Sequence, residues 1–231
     1  DNGLTFGGSV DLDEADDGRA GGSLAFGGTT QGGETIFLSG SFGTITMGDT
    51  DGALDWAVTE VGMLGSIDDA HTAHGGYNGN AALDGTYDGQ IARYNYSFGD
   101  FSFAASVEID DTGTGDPVLG VGAKYAGTLG GLDVGVGIGY QMTNLGGAAA
   151  DSSAVTGSLS LGFSGFKVVG NYSSYDNMTL GGLAVDSHWG VGASYTIDAI
   201  SLTANYGVYS RPGGDQSGFG VAANYDLGGG A

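Results

Sequence analysis

The chain has no cysteine, two prolines and only five lysines and arginines among 231 residues. Without cysteine there is no disulfide scaffold, no zinc finger and no iron–sulfur site. Five basic residues are too few to neutralise a nucleic-acid backbone, which excludes nucleic acid as a partner. Scarce proline, with glycine at no period of three, excludes collagen. No apolar run approaches the ~18 residues of a membrane helix. No basic stretch followed by an apolar core opens the chain, which fits a secretion signal already removed or a sequence taken from partway into a protein.

What is present is acid, glycine and aromatics. Asp and Glu number 27, giving a net charge of −22, and 50 residues are glycine. Such a composition can mean disorder. The 10 Phe, 12 Tyr and 2 Trp, within a hydrophobic share of 40%, argue for a folded chain instead.

Period-two alternation is the dominant pattern, and it predicts strands. Leu132, Val134, Val136, Ile138, Tyr140 and Met142 alternate with Asp133, Gly135, Gly137, Gly139 and Gln141. A strand projects successive side chains to opposite faces, so one face is apolar and the other small or polar. On this reading Val136 faces lipid, and Gly137 is a lumen position able to hold a small polar group such as Ser. The same pattern runs from Phe101 to Asp110, Leu119 to Tyr125, His188 to Ile197, Leu202 to Tyr209 and Phe219 to Leu227. Similar runs occupy 3–13, 34–40, 44–49, 90–98, 154–164 and 166–175.

Short Gly-, Asp- or Ser-containing turns at 41–43, 98–100, 130–131, 164–165 and 198–199 alternate with longer polar connections at 111–117, 143–153, 176–187 and 210–217. Strands of about 9–11 residues cross a bilayer when tilted. Tyr125, Tyr140, Phe163, Phe166, Tyr172, Trp189, Tyr195 and Tyr225 fall near strand ends on the apolar face, as in the aromatic girdles of membrane barrels. The fold class expected is all-β, a transmembrane antiparallel up-and-down β-barrel, with short turns in the periplasm and long loops outside. A soluble β-sandwich with the apolar face as its core is the alternative.

One segment, 50–89, fits no strand, and at that length it is functional or disordered. It mixes Leu54, Trp56, Val58, Val61, Met63, Leu64 and Ile67 with acids, which predicts packing and allows a short helix near 53–63.

The run Thr35-Ile-Phe-Leu-Ser-Gly-Ser-Phe-Gly-Thr-Ile-Thr-Met-Gly-Asp49 resembles the strand–turn–strand before the third loop of bacterial general porins, especially the Rhodobacter-type porins of alphaproteobacteria. Arg93-Tyr-Asn-Tyr-Ser97 resembles the strand after that loop, and Tyr225-Asp-Leu-Gly-Gly-Gly-Ala231 the strand and turn before the last hairpin. The resemblance spans the whole chain in order. It implies a general diffusion porin of the Gram-negative outer membrane, with no catalysis and no catalytic residues. It also implies a homotrimer in contact with outer-membrane lipid and lipopolysaccharide, and about sixteen strands where about twelve are counted here. About two strands are then expected to be missing at each end. The region 19–31 is longer than the family's loop, and Gly22-Ser-Leu-Ala-Phe-Gly27 could form an extra strand.

In that family the third loop folds into the lumen and narrows it, with acids on the loop facing bases on the wall. The single domain expected here covers 1–231, with 50–89 as the constriction. The acidic set is Asp51, Asp55, Glu60, Asp68, Asp69, Asp84 and Asp88. Arg93, Lys124 and Lys167 fall by parity on the polar face and form the basic wall. The segment has seven acids and no Lys or Arg, which predicts passive passage of ions and small hydrophilic solutes with a preference for cations. A substrate-selective channel is the second reading. A soluble or surface acidic β-protein, such as a calcium-binding adhesin, is the third.

No cofactor is required on this reading. Carboxylates and loop carbonyls suit calcium, and its candidate ligands are Asp49, Asp51, Asp68, Asp69, Asp84 and Asp88. The three histidines are His71, His74 and His188. His71 and His74 beside Asp68 and Asp69 make a weak metal motif. No G-x-S-x-G accompanies the histidines and no calcium-binding nonapeptide repeats.

Overall fold

The computed structural model describes residues 3–10, 34–62, 74–87, 89–110, 112–144, 151–180 and 182–228. Its strands are β1 (Thr5–Ser9), β2 (Thr35–Gly40), β3 (Gly43–Asp49), β4 (Gln90–Phe98), β5 (Phe101–Glu108), β6 (Val118–Leu129), β7 (Leu132–Thr143), β8 (Ser152–Phe163), β9 (Phe166–Leu180), β10 (Leu183–Ile197), β11 (Ile200–Ser210) and β12 (Gln216–Tyr225). One helix, α1 (Ala53–Ala57), lies between β3 and β4. All twelve strands form one antiparallel sheet in chain order, with β1 and β12 at its edges. This is the up-and-down wall of a transmembrane β-barrel.

The turns explain the register. β6 and β7 pair from Leu129↔Leu132, and β8 and β9 from Phe163↔Phe166, so each loop has two residues. Gly130 and Gly131 have φ of 60° and 87°, and Ser164 and Gly165 have 49° and 83°. Two successive positive φ values match the right-handed twist of the flanking strands, which makes such turns the favoured closure of a tight hairpin.

Burial is inverted relative to a water-soluble protein. Val121, Val136, Ile138, Leu159, Val168, Tyr172, Leu202 and Val221 are exposed, whereas Gln141, Thr156, Asn171, Ser173 and His188 are buried. A row of alternating exposed aliphatics requires an apolar solvent. A single sheet with its apolar face outward overturns the β-sandwich alternative. No helix among the described residues is long and apolar enough to cross a membrane, so the crossing is by strands.

Aromatics pair across neighbouring strands on the outer face. Phe101 meets Tyr125 at 5.1 Å between ring centroids, and Phe166 stacks on Tyr195 at 4.1 Å. Both pairs sit at the short-turn end. Trp189 on β10 meets Tyr206 on β11 at 5.5 Å. Such pairs contribute about 0.5–1.5 kcal/mol each beyond their buried area.

Three expectations are corrected. Residues 176–187 are not a long loop, because β9 continues to Leu180 and β10 begins at Leu183. The polar residues there hid an extended hairpin in which Met178 pairs with Val185, both buried, with a bulge between Val185 and Ser187. The helix near 53–63 is only five residues long. It ends because Val58 turns extended, and Thr59 N–H bonds the Ser158 hydroxyl at 2.8 Å instead of a helical carbonyl. Strand lengths run from 5 to 15 residues rather than 9–11. The stretches 11–33, which include the expected extra strand, and 229–231 lie outside the described residues.

Val136 is 46% exposed on the outer face. Val136→Arg is expected to cost about 2–4 kcal/mol at mid-bilayer. Refolding yield into lipid vesicles, with Val136→Leu as control, measures it.

Candidate functional site

The described parts of segment 50–89, residues 50–62, 74–87 and 89, lie on the polar face of the sheet, and the glycines of that face are their seat. α1 packs against β5, β6 and β7. A Cβ on Gly122 would strike the Ala53 carbonyl, one on Gly137 the Ala57 carbonyl, and one on Gly139 the Leu54 backbone. The helix therefore rests with its main chain directly on the strands. Ala53 N–H donates to the Ser106 hydroxyl at 2.8 Å, beside Gly120. The expectation that Gly137 could hold Ser is thus corrected: the position is filled by segment backbone. Gly76 meets Gly207 and Gly218 in the same way on β11 and β12.

The second half of the segment is held by buried polar side chains. Glu108, at the end of β5, accepts N–H bonds from Gly85 at 3.1 Å, Tyr87 at 3.0 Å and Gly89 at 2.9 Å. Bonds to a carboxylate of this kind are worth about 1.5–3 kcal/mol each. Gln141 on β7 accepts from Leu83 N–H at 3.0 Å and donates to Asp84. His188 on β10 is fully buried, its Nε2 at 2.9 Å from the Gly76 carbonyl and its ring 4.5 Å from that of Tyr209. Tyr209 donates to the Tyr77 carbonyl at 3.0 Å. Asn78 donates to Tyr175 at 3.1 Å, and His74 Nε2 meets Asn205 Oδ1 at 2.8 Å. Leu54, Val58 and Leu83 join Tyr175, Met178 and Val185 in an apolar cluster under the extended β9–β10 hairpin.

The sequence-predicted residues divide into two groups. Asp51 is exposed, and Asp55, Glu60 and Asp84 are half-buried. Glu60 accepts from the Tyr77 hydroxyl. Asp84 accepts from Gly52 N–H at 2.7 Å, which ties the two halves of the segment together. Asp68, Asp69 and Asp88, and His71 with them, lie outside the described residues. Arg93 is buried and donates to the Asp51 carbonyl. Lys124 donates to the Trp56 carbonyl at 2.8 Å, with its Nζ 3.6 Å from the Trp56 ring centroid. Lys167 stands apart, exposed in a groove with Thr128, Asp133, Ser160 and Ser194. Among the described residues no three His, Asp or Glu side chains gather at metal-binding spacing. Asp49, Asp51 and Asp84 are the described members of the calcium set.

Sequence reasoning missed Glu108, Gln141, His188 and Trp56 as anchors. Parity placed the first three on the polar face, but nothing local says which polar groups meet a segment far along the chain. Glu108 gave the strongest signal available: it is an acid at the end of the strand that pairs with the one leaving the segment.

Burial raises the Asp84 carboxyl to about 7, aided by Glu108 and Asp51 and opposed by the bonds from Gly52 and Gln141. A carboxyl raised in the folded state holds its proton there while the unfolded chain has lost it. Its contribution to stability is full below the ordinary value near 3.8 and is lost as pH rises through about 7. The melting temperature in detergent should therefore fall between pH 4 and 7, and more steeply for wild type than for Asp84→Asn. Gly137→Ser is expected to expose the segment to added protease while strand content, read by circular dichroism, stays unchanged.

The family model for the Gram-negative porins matches residues 1–231. Among solved structures, a porin refined at 1.8 Å resolution is 27% identical with a TM-score of 0.60, over 85% of this chain and 72% of its own. An anion-selective porin from Comamonas acidovorans is 20% identical with a TM-score of 0.59, over 98% of this chain and 71% of its own. No curated protein matches.

Proposed function

Because the chain belongs to the Gram-negative porin family, and so is an outer-membrane diffusion channel rather than an enzyme, we propose that its pore prefers cations and that segment 50–89 is the constriction. The polar face of the sheet is then the lumen wall. One observation carries this reading. The acid Asp51 stands exposed, whereas Arg93 and Lys124 each donate to a carbonyl of the segment. Carboxylates that face water concentrate cations and repel anions.

The fold alone sets no sign, since the Comamonas acidovorans neighbour is anion-selective. The sign is argued from this chain's own charges. Screening over ~8 Å at physiological salt keeps the preference moderate. Lys167, exposed on the wall, works against it. Calcium held by the acids Asp49, Asp51 and Asp84, with Asp68, Asp69 and Asp88, would weaken it further by neutralising them. Assembly as a homotrimer in contact with lipopolysaccharide is supported by family resemblance.

The test is the reversal potential in a planar bilayer under a KCl gradient. A cation-selective wild type is expected, and Asp51→Asn with Asp55→Asn should move the potential toward zero. An anion-selective wild type would overturn the proposal.

A further inference from the structure

We infer that Trp56 is the selectivity-determining residue of the constriction, because its ring holds the basic side of the wall away from passing anions. The inference rests on the reading of segment 50–89 as the constriction.

The chain has five basic residues, and two of them converge on this one ring. Lys124 Nζ lies 3.6 Å from the Trp56 ring centroid, and the Arg93 guanidinium carbon lies 5.8 Å from it. A cation within ~6 Å of an indole face is drawn to its π electrons, and indole is the best of the aromatic faces for this. The two cations come from β6 and β4, while the ring comes from α1.

The hydrogen bonds reinforce the arrangement. Lys124 donates to the Trp56 carbonyl at 2.8 Å, so one residue holds the ammonium by both its ring and its main chain. Arg93 donates to the Asp51 carbonyl. The acids nearest in electrostatic reach of Arg93 are Asp51, Asp84 and Asp55, of which Asp84 holds its proton up to about pH 7. Lys124 feels Arg93 and Asp51. Two like charges are therefore held together against their repulsion, with the indole as a shared acceptor.

A lysine on a lumen wall is ordinarily a flexible, strongly hydrated point charge that can follow a passing anion. Bound to Trp56, it has one N–H committed to the carbonyl and one side of the ammonium against the ring, which holds it back from that anion. The seat is fixed by the close approach to Gly122 of the Ala53 carbonyl and the Ala57 Cβ, on the same helix as Trp56. Removing the ring would leave the ammonium only its bond to the main-chain carbonyl of residue 56, about which it can pivot toward the lumen.

The experiment compares reversal potentials under a KCl gradient for wild type, Trp56→Ala, Trp56→Leu and Trp56→Phe. An ammonium that moves to about 8 Å from the ion path lowers the potassium-to-chloride permeability ratio by at most about twofold once screening over ~8 Å is included. Ala and Leu remove the ring and should both give this shift. Leu keeps apolar bulk, so the proposal stays testable if Ala fails to fold. Phe keeps a ring and should stay near wild type. The same substitutions are made in a Lys124→Gln, Arg93→Gln background, where the shift should vanish. A shift of equal size in that background would mean that Trp56 only narrows the pore, and no shift in either background would also overturn the inference. The readout is the change relative to wild type, so an anion-selective wild type would sink the cation preference and leave the role of Trp56 standing.

Discussion

Hydrocarbon offers no partner to a peptide N–H or C=O, and the rest of the structure follows from that constraint. Each unpaired group would cost several kcal/mol. Twelve strands joined in chain order satisfy the interior of the sheet with the shortest connections available. Once the strands are fixed, the side-chain period of two decides the rest. The outward face must be apolar because lipid surrounds it, which leaves the other face free to carry polar groups and glycine.

That freedom is used to hold a stretch of chain that is not itself sheet. Glycine on β6, β7, β11 and β12 removes the side chains that would otherwise keep main chain from main chain. Glu108, Gln141 and His188 supply the acceptors and donors that the segment's backbone lacks. The segment is thus fixed by its peptide groups as much as by its side chains. The Asp51 side chain is left exposed on it.

The strand faces were legible in the sequence because alternation is local: Leu132 to Met142 states its two faces within eleven positions. The long segment was legible as a break in that pattern. Its attachment was not, since Gly122, Gly137 and Gly207 look alike whether they face open water or a packed backbone. The extended hairpin at 176–187 was missed for the opposite reason. Its Asn, Asp and Ser residues carry loop composition, while Met178 and Val185 join a cluster that includes Leu54 and Leu83, far away in the chain. Arg93 and Lys124 were placed on the correct face by parity, but their hold on Asp51 and Trp56 depends on where α1 comes to rest.

The segment's position in the chain also sets an order of assembly. It is synthesised between β3 and β4, yet its contacts reach β10 and β11, with Gly76 bonded to His188 and Tyr77 to Tyr209. Those partners lie 112 and 132 residues downstream. Contacts of such separation form only after the intervening loop has been closed, and closing it is slow. The bonds of Gly76 and Tyr77 therefore close only once β10 and β11 stand in the wall.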